Sequence, residues 1–341
     1  MPQYSDAIIV GGGPAGASCA VWLARLGLAP LLVETGARPG GLPNDNPFAD
    51  DWIAALPGVT GQQVGANIAR SIEAAGVPVR CGRRAVAVAR TDEGYAVTVQ
   101  ATGAGGQAPH GASCVVDGAS DSWRSAGARP DVGSEGLEVL YGRHLVIASG
   151  VRARNLADAA PGDRWPGVLV GPGSAIVEQD YAGLSVAVLG GGDNGFENYA
   201  YVKSRGARTV HLYARTVRAR PQLVDAVPAA DLRLGAYRAD PHARQVDGQA
   251  YDLLLVFHGW EPQADFAASL ALRRDERGYI HTDFATARAS AEDVYAIGEV
   301  ANRMHPCVVT AMADGVVAAK AIQAAIERQA GREGGTRPFR R

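Results

Sequence analysis

The chain has 341 residues, a length that can bury a large core and that predicts two domains or one large one. Its hydrophobic content of 47% and charged content of 20% are ordinary for a soluble globular protein. The formal net charge of -2 argues against a surface for duplex nucleic acid, because such surfaces normally carry a basic stripe. The apolar start does not resemble a secretion signal, because Asp6 stands in place of a positive n-region and a glycine run with Pro14 interrupts the stretch. No uninterrupted apolar run is long enough to span a bilayer. We therefore expect a cytoplasmic protein with no nucleic-acid or membrane partner.

Residues 7–34 predict a strand, a glycine turn, a helix and a second strand. Gly11, Gly13 and Gly16 have the G-x-G-x-x-G spacing, which permits a tight turn, the approach of a pyrophosphate and close packing of the helix on the strand. Glu34 ends the second strand, where an acid can accept hydrogen bonds from an adenosine ribose. This context predicts a dinucleotide-binding unit rather than an ordinary glycine turn.

The next part of the chain predicts smaller elements around that unit. Residues 62–75 have the apolar spacing of a helix, and short alternating strands follow. Residues 102–136 are rich in Gly, Ala and Ser, which predicts either a solvated insertion between two strands or a mobile lid. Residues 137–150 predict two strands, the second ending at Ala148-Ser149-Gly150.

A second glycine unit begins near residue 184. Gly190, Gly192 and Gly195 repeat the spacing of the first unit, with a strand before them, a helix to Ser204 and another strand after it. Two such units in one chain are much more specific than one. The pair implies a hydride carrier in one site and an electron acceptor in the other.

The two units differ at the end of their second strand. The residue that corresponds to Glu34 is Tyr213, and Arg215 and Arg218 follow it. An acid suits a free ribose 2′-hydroxyl, whereas arginine suits a 2′-phosphate, so the second site is predicted to prefer NADPH. The alternative is that Arg215, Arg218 and Arg220 form a solvated loop.

Five segments form a recognisable series along the chain: GGGPAG near the start, ASG at 148–150, GGGDNGFEN at 190–198, FHGWEP at 257–262, and YAIGEV followed by VVTAMADG. In these segments the chain resembles the thioredoxin reductase-like flavoproteins, which include thioredoxin-reductase-type ferredoxin-NADP reductases. The resemblance implies an α/β fold with two Rossmann-like dinucleotide-binding domains, the first split in sequence by the second, usually in a homodimer. It assigns residues 1–160 and 263–330 to an FAD domain, 161–262 to an NAD(P) domain and 331–341 to a flexible tail.

The resemblance also assigns site residues. It implies contacts with the FAD pyrophosphate, adenosine ribose, ribityl chain and flavin pyrimidine edge from Gly11, Gly13, Gly16, Glu34, Gly150, Gly298, Glu299, Val308 and Val309. The amides at the start of the last helix, near Val308 and Val309, can stabilise negative charge on a reduced flavin. For NADPH it implies Gly190, Gly192, Gly195, Glu197, Arg215 and Arg218.

Three departures from the family pattern limit the function and the site residues that the resemblance implies. The redox C-x-x-C of thioredoxin reductases is missing, since the four cysteines, at positions 19, 81, 114 and 307, include no such pair. The double arginine after the second strand of the NADPH unit is reduced to Ala214-Arg215-Thr216. Gly298-Glu299 stands where the family usually has Gly-Asp, so the acid is one methylene longer.

No catalytic residue is assigned by the sequence, and two candidates stand before the last helix. Cys307 lies at the predicted helix start, where a thiol can be redox active, and His305 can donate or relay a proton. The alternatives are that Cys307 only packs and that His305 is a structural hydrogen-bonding group. No metal site is expected.

The sequence thus favours an FAD-dependent oxidoreductase that takes hydride from NADPH, or from NADH, and passes electrons to an acceptor without a protein dithiol. A ferredoxin-like protein, a quinone or a small disulfide fits as acceptor. One alternative is an oxidase that uses dioxygen and has a degenerate nicotinamide site. Another is a flavin-binding partner subunit without turnover.

Overall fold

The computed structural model describes residues 3–102, 136–157, 159–160 and 163–332. Residues 103–135 of the predicted insertion (102–136) and residues 333–341 of the predicted tail (331–341) lie outside the described residues. The helices are α1 (Pro14–Arg25), α2 (Gly61–Ala74), α3 (Ser174–Glu178), α4 (Asp193–Ser204), α5 (Pro221–Asp225) and α6 (Val308–Arg332). The strands are β1 (Tyr4–Val10), β2 (Pro30–Val33), β3 (Val79–Arg80), β4 (Arg83–Thr91), β5 (Gly94–Ala101), β6 (Leu137–Ile147), β7 (Val151–Ala153), β8 (Val168–Val170), β9 (Ser185–Leu189), β10 (Thr209–Ala214), β11 (Leu232–Leu234), β12 (Ala239–Asp240), β13 (Gln245–Val246), β14 (Gln249–Ala250), β15 (Leu253–Val256), β16 (Trp260–Pro262) and β17 (Val294–Ala296).

The chain divides into two compact units, and the second is inserted into the first in sequence. The first comprises residues 1–44, 48–151 and 262–341, and the second comprises 45–47 and 152–261. The predicted fold class of two Rossmann-like units, the first split by the second, is confirmed. The chain enters the second unit after Val151 rather than after the predicted residue 160, because Arg152 already pairs with Glu261 of that unit at 2.6 Å. The assignment of FAD and NAD(P) to the two units stays a prediction.

The sheet of the first unit has β1 at the centre of its parallel part. Its order is β3-β2-β1-β6-β5-β4, and β17 pairs in parallel with the last residues of β6. The expectation of two strands over residues 137–150 was wrong, because β6 is one strand that pairs first with β5 and then with β17. Gly142 lies inside this strand. A Cβ atom there would lie 2.8 Å from Ile8 Cγ1, so the glycine permits close approach of β1.

The second unit has a five-stranded parallel sheet in the order β11-β10-β9-β15-β8. The connections from the central strand β9 run to β10 on one side, and β15 and β8 lie on the other. In such open sheets, ligands bind outside the carboxyl ends of the strands where the strand order reverses. This places the expected ligand crevice at the ends of β9 and β15, next to the second glycine turn.

Helix α6 belongs to the core of the first unit. By length and composition alone it could cross a membrane, which the sequence interpretation had not anticipated. Its Ala318, Ala319 and Ile322 are fully buried and pack in one cluster with α1 and β1. At Gly315 a Cβ atom would lie 2.7 Å from the Cys19 amide nitrogen, so the two helices touch closely there. The packing of α6 in the core of the first unit therefore explains its apolar composition.

Candidate functional site: two glycine turns at helix starts

The first glycine turn is fixed by its own packing. Gly11 has φ of 110°, which favours glycine, and a Cβ atom on it would overlap the carbonyl oxygen of Ala148. A Cβ atom on Gly16 would overlap the carbonyl oxygen of Gly11. Gly13 is the N-cap residue of α1, so the first amides of that helix face the space above the turn. Gly11 and Gly16 thus permit the tight turn and the close packing that the spacing predicts, and the approach of a pyrophosphate at Gly13 stays a prediction.

Glu34 is hydrogen-bonded to the same turn. Its carboxylate accepts the backbone N–H of Gly12 at 2.8 Å and that of Gly36 at 2.6 Å. Burial raises the pKa of Glu34, and the backbone N–H groups only partly offset this. Each carboxylate oxygen keeps a further lone pair. A ribose diol at the carboxyl end of β2 would therefore find an oriented acceptor.

Gly40 and Gly41, which the sequence interpretation did not single out, complete this turn. The Gly40 N–H donates to the Gly12 carbonyl oxygen at 2.9 Å. Gly41 has φ of 65°, and a Cβ atom on it would lie 2.7 Å from Gly13 Cα. A larger residue at position 41 would thus push into the first turn. The signal available in the sequence was a pair of adjacent glycines shortly after Glu34.

Gly298 brings the end of β17 against the start of α1. Its φ is 70°, and a Cβ atom on it would lie 2.8 Å from Ala15 Cβ. Burial raises the pKa of the neighbouring Glu299, and among the described residues this carboxyl has no hydrogen-bond partner. A half-buried acceptor beside the glycine turn fits the polyol hydroxyls of a dinucleotide. Gly150, with φ of 65°, follows Ala148 at the same edge of the sheet.

Asp314 and Arg303 form a buried pair behind Gly298. The Gly298 N–H donates to Asp314 Oδ2 at 3.0 Å, and Arg303 Nη1 lies 3.4 Å from Asp314 Oδ1. Both side chains are only 4% exposed. Sequence reasoning missed both residues. The available signal was an aspartate in the middle of the otherwise apolar first turns of α6.

The start of α6 is capped from within its own segment. The Thr310 N–H approaches Cys307 Sγ at 3.5 Å, and Thr310 Oγ1 donates to the His305 carbonyl oxygen at 2.6 Å. The amides of Val308 and Val309 have no acceptor within the described part of the chain, so they are available to an anion. Cys307 thus has a structural role as a cap. The His305 side chain is exposed and makes no hydrogen bond with another described residue.

The second glycine turn repeats the packing of the first. A Cβ atom on Gly190 would overlap the carbonyl oxygen of Phe257, and one on Gly195 would overlap that of Gly190. Gly192 differs, because no atom lies within 4 Å of the position of its Cβ. It is the N-cap residue of α4, so open space adjoins the first amides of that helix. A phosphate can approach there.

Two polar side chains around the second turn, Tyr213 and Glu197, have partners within the protein. Tyr213 is buried and its hydroxyl pairs with that of Tyr251 at 2.8 Å, so it does not face a ligand. Glu197, expected at the nucleotide site, is bound by Arg220 at 2.8 Å. Arg215 and Arg218 are exposed, and neither forms an ion pair with a described carboxylate.

A histidine and a tyrosine lie beyond the end of β15. The Tyr237 hydroxyl is 2.9 Å from His258 Nε2, and His258 Nδ1 is 3.3 Å from the Asn155 carbonyl oxygen. The carbonyl can only accept, which assigns the proton to Nδ1 and makes Nε2 the acceptor from Tyr237. Burial is the main cause that lowers the pKa of His258, and Arg215 and Arg154 lower it further. Its surroundings therefore favour the neutral imidazole.

The family model for pyridine nucleotide-disulphide oxidoreductases matches residues 5–230 and 236–315. The chain belongs to this family. Among curated relatives, a subunit of the alkyl hydroperoxide reductase of Staphylococcus aureus is 36% identical over 95 residues, which are 28% of this chain and 18% of that protein. A ferredoxin-NADP reductase of Ralstonia nicotianae is 26% identical over 253 residues, 73% of this chain and 59% of that protein. The matches thus span only part of either relative.

Solved structures of the family share the fold. Thioredoxin reductase of Lactococcus lactis has a TM-score of 0.70 at 20% identity, covering 95% of this chain and 99% of its own. Bacillithiol disulfide reductase of Bacillus cereus has a TM-score of 0.71 at 17% identity, covering 95% and 100%. The chain therefore has a thioredoxin reductase-like fold. The predicted resemblance is confirmed.

The first glycine turn fits a flavin dinucleotide by its donors and acceptors. Open helix amides suit a pyrophosphate, Glu34 and Glu299 supply two carboxyl acceptors, and the α6 amides suit an anionic ring edge. The family is named for disulphide chemistry, yet this chain has no C-x-x-C. Within the described residues no group of three or more His, Cys, Asp or Glu side chains could hold a metal ion.

Proposed function

We propose that this protein is an FAD-dependent oxidoreductase that takes hydride from NADPH and passes electrons to an acceptor without a protein dithiol. One observation carries the proposal: two complete glycine turns occur in one chain that has no C-x-x-C motif. The first implies a bound redox cofactor and the second a nucleotide that delivers hydride. Thioredoxin reduction needs a protein dithiol, so we propose that the protein is not a thioredoxin reductase.

FAD supplies two-electron chemistry when it is bound. The protein's part is to bind and orient it. The amides after Gly13 would hold the pyrophosphate, the Glu34 carboxylate would accept the ribose hydroxyls, and Glu299 would accept a ribityl hydroxyl. The Val308 and Val309 N–H groups would stabilise negative charge on the pyrimidine edge of the reduced ring.

The nucleotide preference is proposed from Arg215 and Arg218. Both guanidinium groups follow β10, where a 2′-phosphate would lie, and both are exposed without a carboxylate partner in the described chain. The change Arg215→Ala should raise the KM for NADPH about tenfold and leave the KM for NADH nearly unchanged. Arg208→Ala, which alters an exposed arginine before β10, is the matched control. Equal effects of Arg215→Ala on both nucleotides would show that the loop is merely solvated.

The acceptor is proposed by class only. A ferredoxin-like protein, a quinone or a small disulfide would each accept electrons without a dithiol in this chain. The names of the relatives, a ferredoxin-NADP reductase and a bacillithiol disulfide reductase, support the first and third classes. We further propose that the protein acts in the cytoplasm as a homodimer, as its family usually does.

An anaerobic titration followed by the visible spectrum tests the proposal. Purified protein should be yellow, and NADPH should bleach the flavin absorbance faster and at lower concentration than NADH. Colourless protein that does not take up added FAD would contradict the flavin assignment. Yellow protein that neither nucleotide bleaches, but that forms hydrogen peroxide with a small substrate and dioxygen, would identify an oxidase. Stable flavin that no donor reduces would point to a partner subunit without turnover.

A further inference from the structure

The segment after β10, residues 215–220, folds back over the second glycine turn. The N–H groups of Arg218 and Ala219 both donate to the Gly191 carbonyl oxygen, at 2.7 and 3.1 Å. A Cβ atom on Gly191 would overlap the carbonyl oxygen of Thr216, so the contact depends on glycine there. The loop and the turn are therefore one packed unit. Its conformation decides which charges face an incoming nucleotide.

Arg220 fastens the end of this loop to α4 through three contacts. Its Nε lies 2.9 Å from Asp193 Oδ2 and its Nη2 lies 2.8 Å from Glu197 Oε1. Its backbone N–H donates to Asp193 Oδ1 at 2.9 Å. Asp193 is the first residue of α4 and Glu197 follows one turn later, so the two carboxylates lie on one face of the helix.

These carboxylates stand where a nucleotide site needs positive potential. The amino end of a helix attracts phosphate through its free amides and its dipole. Two unpaired carboxylates in the first two turns would repel that phosphate. With its guanidinium between them, Arg220 cancels much of their charge while leaving Arg215 and Arg218 for the ligand.

We infer that Arg220 is a positioning residue of the nucleotide site: it serves as the internal counter-ion of Asp193 and Glu197, so that the dinucleotide phosphates can approach the start of α4. In this arrangement neither Arg220 nor Glu197 touches the nucleotide. The inference rests on the proposed function, because it assumes that the second glycine turn binds a nicotinamide dinucleotide. It also replaces the expected role of Glu197 as a nucleotide ligand.

Four variants separate this role from direct contact. The protein with bound flavin is reduced anaerobically over a range of NADPH and NADH concentrations, for wild type, Arg220→Ala, Glu197→Gln, the double variant Arg220→Ala/Glu197→Gln and the control Arg208→Ala. The limiting rate and the half-saturating concentration are recorded for each nucleotide. All of these side chains are about half exposed or more, so the variants should fold with unchanged melting temperature and flavin content.

Arg220→Ala should raise the half-saturating concentration about tenfold for both nucleotides, because the pyrophosphate is common to them, with an unchanged limiting rate. Glu197→Gln alone should bind both nucleotides as well as the wild type or better. In the double variant most of the loss should be recovered, since the repelling charge is gone. A fifth variant, Arg220→Lys, should retain part of the wild-type behaviour, because the charge is kept.

Other outcomes would overturn the inference. A loss confined to NADPH that Glu197→Gln does not recover would make Arg220 a direct ligand of the 2′-phosphate. Weaker binding in Glu197→Gln would make Glu197 a ligand, as the sequence suggested. Normal binding in Arg220→Ala, with a wild type that NADPH reduces, would overturn the inference alone. If neither nucleotide reduces the wild type, the proposed function fails, and this inference fails with it.

Discussion

The backbone N–H of Gly298 donates a hydrogen bond to the buried carboxylate of Asp314 at 3.0 Å. This bond ties the segment that carries Glu299 to the second turn of α6. The same carboxylate faces Arg303, whose guanidinium also donates to the Phe284 carbonyl oxygen. Burial raises the pKa of Asp314, while Arg303 and the Gly298 N–H act to lower it. One aspartate thus holds a glycine turn and neutralises a buried arginine.

We expect Asp314→Ala to destabilise the first unit by about 3 kcal/mol, because it leaves the Arg303 charge buried and unpaired. Chemical denaturation followed by flavin fluorescence measures the change. The double variant Arg303→Met/Asp314→Ala should recover much of the stability, since it removes both charges, yet it should still bind FAD more weakly than the wild type. A single variant as stable as the double one would show that the pair carries no buried charge.

Glu34 should determine how tightly the first site holds FAD. In Glu34→Ala the N–H groups of Gly12 and Gly36 lose their acceptor and the ribose loses its carboxylate partner. The Kd for FAD should therefore rise about tenfold or more, which corresponds to a loss of about 1.4 kcal/mol or more of binding free energy. Glu34→Gln keeps one acceptor oxygen, so its Kd for FAD should lie between those of the wild type and Glu34→Ala. Flavin release measured by ultrafiltration gives the Kd. Equal flavin content in all three proteins would exclude a ribose contact at this position.

Two glycines of the second turn should respond differently to the same added methyl group. Gly192 has φ of -97° and open space at its Cβ position, so Gly192→Ala should keep the wild-type melting temperature. It should nevertheless raise the KM for NADPH about tenfold, because the methyl group enters the path of the phosphate. In Gly195→Ala the methyl group overlaps the Gly190 carbonyl oxygen, and we expect a loss of about 1–3 kcal/mol. Thermal unfolding and flavin reduction kinetics together separate the two effects.

The second unit should lose stability on mild acidification because of His258. Its lowered pKa means that the unfolded chain takes up the proton at a higher pH than the folded one. Above the ordinary histidine pKa of about 6.5, His258 is neutral in both states and does not lower the free energy of unfolding. As the pH falls below that value, the unfolded chain takes up the proton first and the free energy of unfolding decreases. Protonation of Nε2 would remove the hydrogen bond that Nε2 accepts from the Tyr237 hydroxyl, and it would place a cation near Arg215 and Arg154.

Melting temperatures measured from about pH 7.5 to about pH 5.5 check this expectation. His258→Gln cannot take up the proton, so its melting temperature should fall less over the same range, although it starts lower at neutral pH. Tyr237→Phe, which removes only the hydroxyl donor, should keep the pH dependence. Parallel pH profiles for wild type and His258→Gln would assign the acid sensitivity to other groups.

The elements that carry the site were largely predictable because their signals are contiguous in the sequence. The strand, glycine turn and helix around Gly11 and around Gly190 follow from spacing and hydrophobic periodicity, and both formed as expected. Helix α2 begins at Gly61 with Thr60 and Gln63 in a capping box, again a local pattern. The expectation of two strands over residues 137–150 failed, because Gly142 lies inside the single strand β6 and permits the close approach of β1, a contact that is not local in sequence.

By itself, the sequence determined two glycine turns, an acid after the first and arginines after the second, because these features lie within a few residues of one another. Only the tertiary structure decided how their charges are used. Arg220 reaches back 27 residues to Asp193, Gly298 reaches forward 16 residues to Asp314, and Tyr237 meets His258 across 21 residues. Pairings at such separations depend on how strands and helices pack. No local pattern encodes them, and they determine which charges are cancelled and which remain for a ligand.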